Sequence, residues 1–168
     1  MSELLLLTGL SGAGKTTFAK SFAIANKMRY IGIDDFYAAV FGDINTHSHE
    51  FDVWMMFYRA IEIAARDKVD TIIDTNAPTK ANREEIYDWF GHMFNDTGLV
   101  YIETPPALCI QNNTARERKI PPEELRQMIL QYEPPDKTEL SKWKMMLHIK
   151  NDHNKIFNEL QNAEIIRP

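Results

Sequence analysis

A single cysteine, Cys109, excludes any internal disulfide and suits a reducing, cytoplasmic setting in which a lone thiol is core filling. Long apolar runs are also missing. The opening run at residues 4–7 is far too short to span a bilayer and has no basic stretch before it, so neither a membrane span nor a targeting signal is indicated. There is no internal repeat and no low-complexity tract, which leaves solenoids and disordered linkers out of consideration. An excess of positive charge is lacking too: 19 Lys and Arg against 24 Asp and Glu give a net charge of −5. This argues against strong non-specific adhesion to a polyanion and leaves room for a local basic groove, so any nucleic-acid contact has to be local. What remains is 44% apolar and 26% charged residues over 168 positions, an ordinary composition for one domain with a substantial core. Residues 1–168 are accordingly taken as a single domain.

The most informative stretch lies near the start. Four leucines, Leu4 to Leu7, lead through Thr8 into Gly9-Leu10-Ser11-Gly12-Ala13-Gly14-Lys15-Thr16, which fills every fixed position of the phosphate-binding loop pattern G-x-x-x-x-G-K-[ST]. The leucine run has the character of a buried parallel strand, and a helical pattern follows the loop. In that context backbone N–H groups of the loop and of the helix N-terminus bind phosphate oxygens. Gly9, Ser11, Gly12, Ala13, Gly14, Lys15, Thr16 and Thr17 are the expected nucleotide-binding residues. Lys15 neutralises β- and γ-phosphate charge, and the Thr16 hydroxyl is a magnesium ligand.

Strand and helix signals then alternate. Phe18, Ala19, Phe22, Ala23 and Ala25 mark a first crossover helix. Tyr30-Ile31-Gly32-Ile33 is expected as a second strand closed by Asp34 and Asp35, and residues 36–50 as a mobile loop, a candidate substrate lid, that carries His47 and His49. These two histidines, without a third ligand in view, are taken as polar loop residues rather than a metal pair. A helix is expected over 51–66, a third strand over 69–73 ending in Asp74-Thr75-Asn76, a helix over 78–94, and a fourth strand over 98–102. Residues 107–132 are expected to form two short helices around a polar, basic joint, with a lid over about 107–122. Residues 138–160 are expected to form one amphipathic helix, on the spacing of Leu140, Trp143, Leu147, Ile156 and Leu160. The alternation implies an α/β fold: a parallel sheet of four to five strands with helices on both faces.

Transfer of a γ-phosphoryl group needs more than a loop: a metal, a positioned acceptor and positive charge over the phosphates. Asp74 at a strand end is the candidate for supporting the metal or its water shell, together with Thr16. Asp34 or Asp35 is the candidate for accepting the proton of an acceptor hydroxyl. Arg116, with Arg118 or Lys119 as a second, is the candidate for closing over the phosphates and stabilising charge in the transition state, since a guanidinium fork binds phosphate bidentately.

Asp34-Asp35-Phe36, Ile73-Asp74-Thr75-Asn76 with Arg83, and Asn113-x-x-Arg116 followed by Ile120-Pro121 and Leu125-x-x-Met128, in this order after the loop, resemble the kinase domain of phage-type polynucleotide 5′-hydroxyl kinases over residues 3–135. The resemblance implies a P-loop NTPase fold of the kinase type, ATP and Mg2+ as the donor complex, and a hydroxyl acceptor on nucleic acid. It implies Asp34 as the acceptor-activating carboxylate, Asp74 as the third-strand acid and Arg116 as the lid arginine. A related acceptor is the hydroxymethyl group of a modified base such as 5-hydroxymethyluracil in DNA. Two positions depart from the family pattern. Tyr37 (or Ala38) stands where an arginine follows the catalytic aspartate, and Asn112 where an arginine often precedes the lid asparagine. The alternatives are a kinase for a nucleoside, sugar or antibiotic and, in another class, a non-catalytic nucleotide-binding regulatory module.

Overall fold

Residues 4 to 7 are fully buried leucines, and alternation along the strand sends them to opposite faces of a sheet. Leu4 and Leu6 pack with Phe57, Ile61 and Phe90, whereas Leu5 and Leu7 pack with Phe18, Ala19 and Cys109. A strand buried on both sides needs helices on both sides, and that requirement sets the architecture. The computed structural model of the chain describes residues 2–42, 49–115, 119–151 and 164–167.

In order, the elements are β1 (Glu3–Thr8), α1 (Lys15–Asn26), β2 (Arg29–Gly32), α2 (Ile33–Phe41), α3 (Glu50–Arg66), β3 (Thr71–Asp74) and α4 (Lys80–Phe90). A short 3-10 turn at Gly91–Met93 leads to β4 (Asp96–Glu103), α5 (Pro106–Ala115) and α6 (Pro122–Gln131). A second 3-10 turn, Lys137–Ser141, precedes β5 (Met145–Lys150), and β6 (Glu164–Ile166) follows. The sheet runs β2-β3-β1-β4-β5-β6; the first five strands are parallel and β6 pairs antiparallel at the edge. The expected parallel sheet flanked by helices is what is found. Among the described residues, no helix is long and apolar enough to cross a membrane.

Helix boundaries follow local chemistry. In α4, Thr79 and Asn82 form a reciprocal capping box. Pro122 opens α6 with Glu123 and Glu124 in its first turn, where acidic side chains oppose the helix dipole. Cys109 is buried in the core, and burial pushes its thiol up to about 11, as expected of a filling residue.

Two expectations are corrected here. The helix expected over 138–160 does not form across its first half: residues 137–141 are a 3-10 turn and residues 145–150 are the strand β5. Met146, Leu147 and Ile149 are buried there beside β4, so both faces of the strand are apolar and the period of two is masked. Residues 152–160 lie outside the described residues. Second, Asp34 and Asp35 do not end a strand. Strand β2 stops at Gly32, and Ile33-Asp34-Asp35-Phe36-Tyr37-Ala38-Ala39-Val40-Phe41 is helical, so the first part of the expected loop over 36–50 is α2; residues 43–48 lie outside the described residues. Two carboxylates in the first turn favour a helix start, and Gly42 at φ 67° ends it.

Arg83 and Glu139 lock the sheet's far layer. The Arg83 guanidinium donates to Glu139 Oε2 through Nε at 2.8 Å and to Oε1 at 2.7 Å, and a third donation reaches the carbonyl of Glu133 at 2.9 Å. Both side chains are buried. Changing Glu139→Gln keeps the shape but leaves a buried guanidinium without its counter-charge, so stability is expected to fall by about 2–3 kcal/mol. Thermal unfolding checks this: a drop of roughly 5–10 °C is expected for a domain of this size, and an unchanged midpoint would show the pair to be dispensable.

Candidate functional site

The loop between β1 and α1 is held from outside by side chains that no local motif predicts. Thr104, just after β4, and Asn151, just after β5, each donate to the carbonyl of Ala13 at 3.2 Å. Asn112 on α5 donates from Nδ2 to the carbonyl of Gly12 at 2.9 Å. The Lys15 ammonium curls into the loop and donates to the carbonyls of Gly9 and Leu10, both at 2.9 Å. With these carbonyls turned to protein donors, the amide side of the loop is presented to an anion at the start of α1. Gly9 and Gly12 permit the close fit. A Cβ at Gly12 would stand 2.5 Å from the carbonyl oxygen of Cys109, and one at Gly9 would stand 2.6 Å from that of Ile102. Both have positive φ, 151° at Gly9 and 87° at Gly12. Gly14, at φ 89°, caps α1, and Thr16 and Thr17 lie exposed in its first turn. Ser11 is half-buried at the tip of the loop.

Asp74 reaches the same place from β3. Thr16 Oγ1 donates to its Oδ2 at 2.6 Å, and the Tyr30 hydroxyl donates to the same oxygen at 3.4 Å. Burial raises the Asp74 carboxyl above its usual range, and the Asp34 charge adds to that; the Lys15 ammonium and the hydroxyl donors work in the opposite direction. Tyr30 is likewise pushed up, first by burial and then by the charges of Asp74, Asp35 and Asp34. Among the described residues no group of three His, Cys, Asp or Glu is placed to hold a metal. A hydroxyl and a carboxylate converging beside a phosphate loop fit Mg2+, which takes few protein oxygens and fills its octahedron with water and phosphate.

Strand β2 delivers the two candidate bases at the start of α2, and they face different neighbours. Asp35 Oδ1 accepts from Lys20 at 3.2 Å, an exposed pair on the outer side of α1. The charges of both carboxylates are felt at Tyr30, and that of Asp34 is felt also at Asp74 and Tyr37. Arg116 and Arg118 lie outside the described residues. Their neighbour Asn113 is buried on α5 and brackets Ile120, accepting from its N–H at 3.0 Å and donating to its carbonyl at 2.8 Å. Lys119 is exposed. His47 is outside the described residues. His49 stacks on Phe41, with centroids 5.8 Å apart, and its Nδ1 lies 3.4 Å from Asp52 Oδ2.

Sequence reasoning missed four of these contributors. Thr104, Asn112 and Asn151 touch the loop across 91, 100 and 138 residues, so only the sheet order places them there. In the sequence Asn112 stands out only as part of the polar joint and for the arginine it replaces. The fourth, Tyr30, has only the signal of a strand residue.

A curated relative, the L-seryl-tRNA(Sec) kinase of Methanococcus maripaludis, is 27% identical over 169 residues, covering 94% of this chain but 64% of the relative. A chain of the Pnkp1/Rnl/Hen1 RNA repair complex superposes with a TM-score of 0.70 at 18% identity, over 77% of this chain and 43% of that one. Kti12 of Chaetomium thermophilum, solved with ADP-AlF3, superposes with a TM-score of 0.68 at 18% identity over 95% of this chain and 98% of that one. These likenesses show a shared P-loop kinase fold. A family model described as AAA domain matches residues 4–135, and the chain belongs to that family.

Proposed function

We propose that the chain is an ATP- and Mg2+-dependent kinase that transfers the γ-phosphoryl group to a primary hydroxyl carried on nucleic acid, either a 5′-hydroxyl end or the hydroxymethyl group of a modified base such as 5-hydroxymethyluracil. The observation that carries the reading is the convergence of Lys15, the Thr16–Asp74 pair and Asp34 at one end of the sheet, where open α/β sheets bind ligands. Thr16 and Asp74 would hold the magnesium, which would offset negative charge on the phosphates. Lys15 brings positive charge to the β- and γ-phosphates from inside the loop. Asp34 aligns the acceptor O–H and takes its proton as the acceptor oxygen bonds to the γ-phosphorus and the bond to the ADP oxygen breaks. Arg116, assisted by Arg118, stabilises charge on the transferring group.

A nucleic-acid acceptor is supported by the order of the motifs after the loop and by two relatives whose names refer to a seryl-tRNA and to RNA repair. The seryl side chain ends in a primary alcohol, the same chemical type as both acceptors proposed here. The net charge of −5 restricts the contact to a local site. Tyr37, buried on α2 where the resembling family places an arginine, favours a second reading in which the acceptor is a nucleoside or sugar. Incubation with γ-labelled ATP and a panel of 5′-hydroxyl oligonucleotides, hydroxymethyluracil-containing DNA, free nucleosides and sugars separates the two. Label is expected on a nucleic acid. Label only on a small molecule would establish the second reading, and tight ATP binding with no transfer to any acceptor would identify a regulatory module.

A further inference from the structure

Tyr30 lies outside every motif in the chain, yet its phenol sits in the donor site. From the second position of β2 it reaches Asp74 Oδ2 at 3.4 Å, the oxygen that also takes the Thr16 hydroxyl at 2.6 Å. Room for this reach is made at Gly32. A Cβ there would stand 2.1 Å from the Tyr30 hydroxyl oxygen and 2.7 Å from Cζ. The Gly32 backbone, at φ −110° and ψ 132°, is extended and open to any residue. Glycine is therefore needed at this position for space, and the phenol fills that space. On the outer side Lys20 steadies the ring, its Nζ 5.0 Å from the centroid and 3.2 Å from Asp35 Oδ1. Lys20 follows Thr16 by one turn of α1, so one face of that helix grips Asp74 through one side chain and Tyr30 through the other.

We infer that Tyr30 is a positioning residue for the metal-supporting carboxylate: its O–H fixes the orientation of Asp74, and position 32 is glycine in order to admit it. A carboxylate pinned through one oxygen holds the other in place, which is how groups behind a metal ligand tune cation affinity. The inference rests on the donor-site reading given above. It separates two functions that a strand residue could have, since packing needs only the ring and positioning needs the hydroxyl.

Calorimetric titration of ADP with and without Mg2+ tests it without any acceptor. In Tyr30→Phe the gain in ADP affinity conferred by Mg2+ is expected to fall roughly three- to tenfold, with Mg2+-free ADP binding unchanged, the effect of losing one long hydrogen bond of ordinary strength. Gly32→Ala, which displaces the phenol and leaves it chemically intact, is expected to show the same loss, and the double variant no greater one. Melting curves on each variant verify folding. Wild-type response to Mg2+ in Tyr30→Phe, or losses that multiply in the double variant, would overturn the positioning role while the donor site stands. Failure of the wild-type protein itself to bind Mg·ADP would overturn both.

Discussion

Lys15→Ala is expected to lower phosphoryl transfer on the order of 10³-fold or more with whichever acceptor the wild-type protein uses. The ammonium, held 2.9 Å from two loop carbonyls, is the one cationic side chain among the described residues that lies inside the phosphate loop. Its removal leaves charge developing on the phosphates with one fewer fixed counter-charge, and 10³ in rate corresponds to about 4 kcal/mol of lost transition-state stabilisation. Structure is expected to survive the change. The loop is independently tied through Ala13 and Gly12 to Thr104, Asn151 and Asn112, none of which depends on the lysine. Steady-state transfer from labelled ATP, measured beside a melting curve, is the check. A rate within a few-fold of wild type in a folded variant removes Lys15 from the donor site.

Asp34→Asn and Asp35→Asn, though adjacent, are expected to differ sharply. Losing the group that accepts the acceptor proton lowers turnover by about 10²- to 10⁴-fold, and that loss is expected for Asp34→Asn with ATP binding retained. Asp35 makes an exposed ion pair with Lys20, a type of contact that contributes about 0–1 kcal/mol, so Asp35→Asn is expected to stay within about threefold of wild type. The contrast arises because both residues are on a helix. Successive side chains on α2 point about a quarter-turn apart, so the Asp35 carboxylate that pairs with Lys20 leaves the helix in a different direction from Asp34, which lies two residues past Gly32, the strand partner of Asp74. Interchanged phenotypes would pass the base to Asp35, and two active variants would end the acceptor-activation reading for this pair.

These distinctions show how far the sequence alone could go. The strand, loop and helix over residues 3–26 were legible because an apolar run, a fixed glycine spacing and an amphipathic stripe are all local signals. Strand β5 was not legible. Leu140, Trp143 and Leu147 meet a helical spacing, but the first two belong to a 3-10 turn and its exit, and the third to a strand buried on both faces. Misreading β5 also hid Asn151, since its place beside the loop follows from the strand it ends. Asp34 and Asp35 were legible as chemistry and misplaced as geometry: the apolar run through Ile33 crosses the boundary between β2 and α2, and only Gly32 marks it. Tyr30 carried no signal at all, because a tyrosine in a strand is ordinary and its partner lies 44 residues away.

The leucines of β1 have a last consequence, for the alignment of the sheet. A one-residue slip of a strand normally exchanges its core side chains for solvent-facing ones and is penalised heavily. In β1 such a slip would replace leucine by leucine at three of the four leucine positions, so packing within the run specifies its alignment only weakly. Much of that information resides at its ends. At one end the Ser2 N–H binds the Asn95 side chain and the Glu3 N–H binds that of Asp70, both at 2.9 Å. At the other, Thr8 Oγ1 donates to the Ala77 carbonyl at 3.1 Å and lies 3.3 Å from the Tyr132 hydroxyl. Thr8 thus helps set where Gly9 begins, so a threonine outside the loop pattern takes part in placing the phosphate loop.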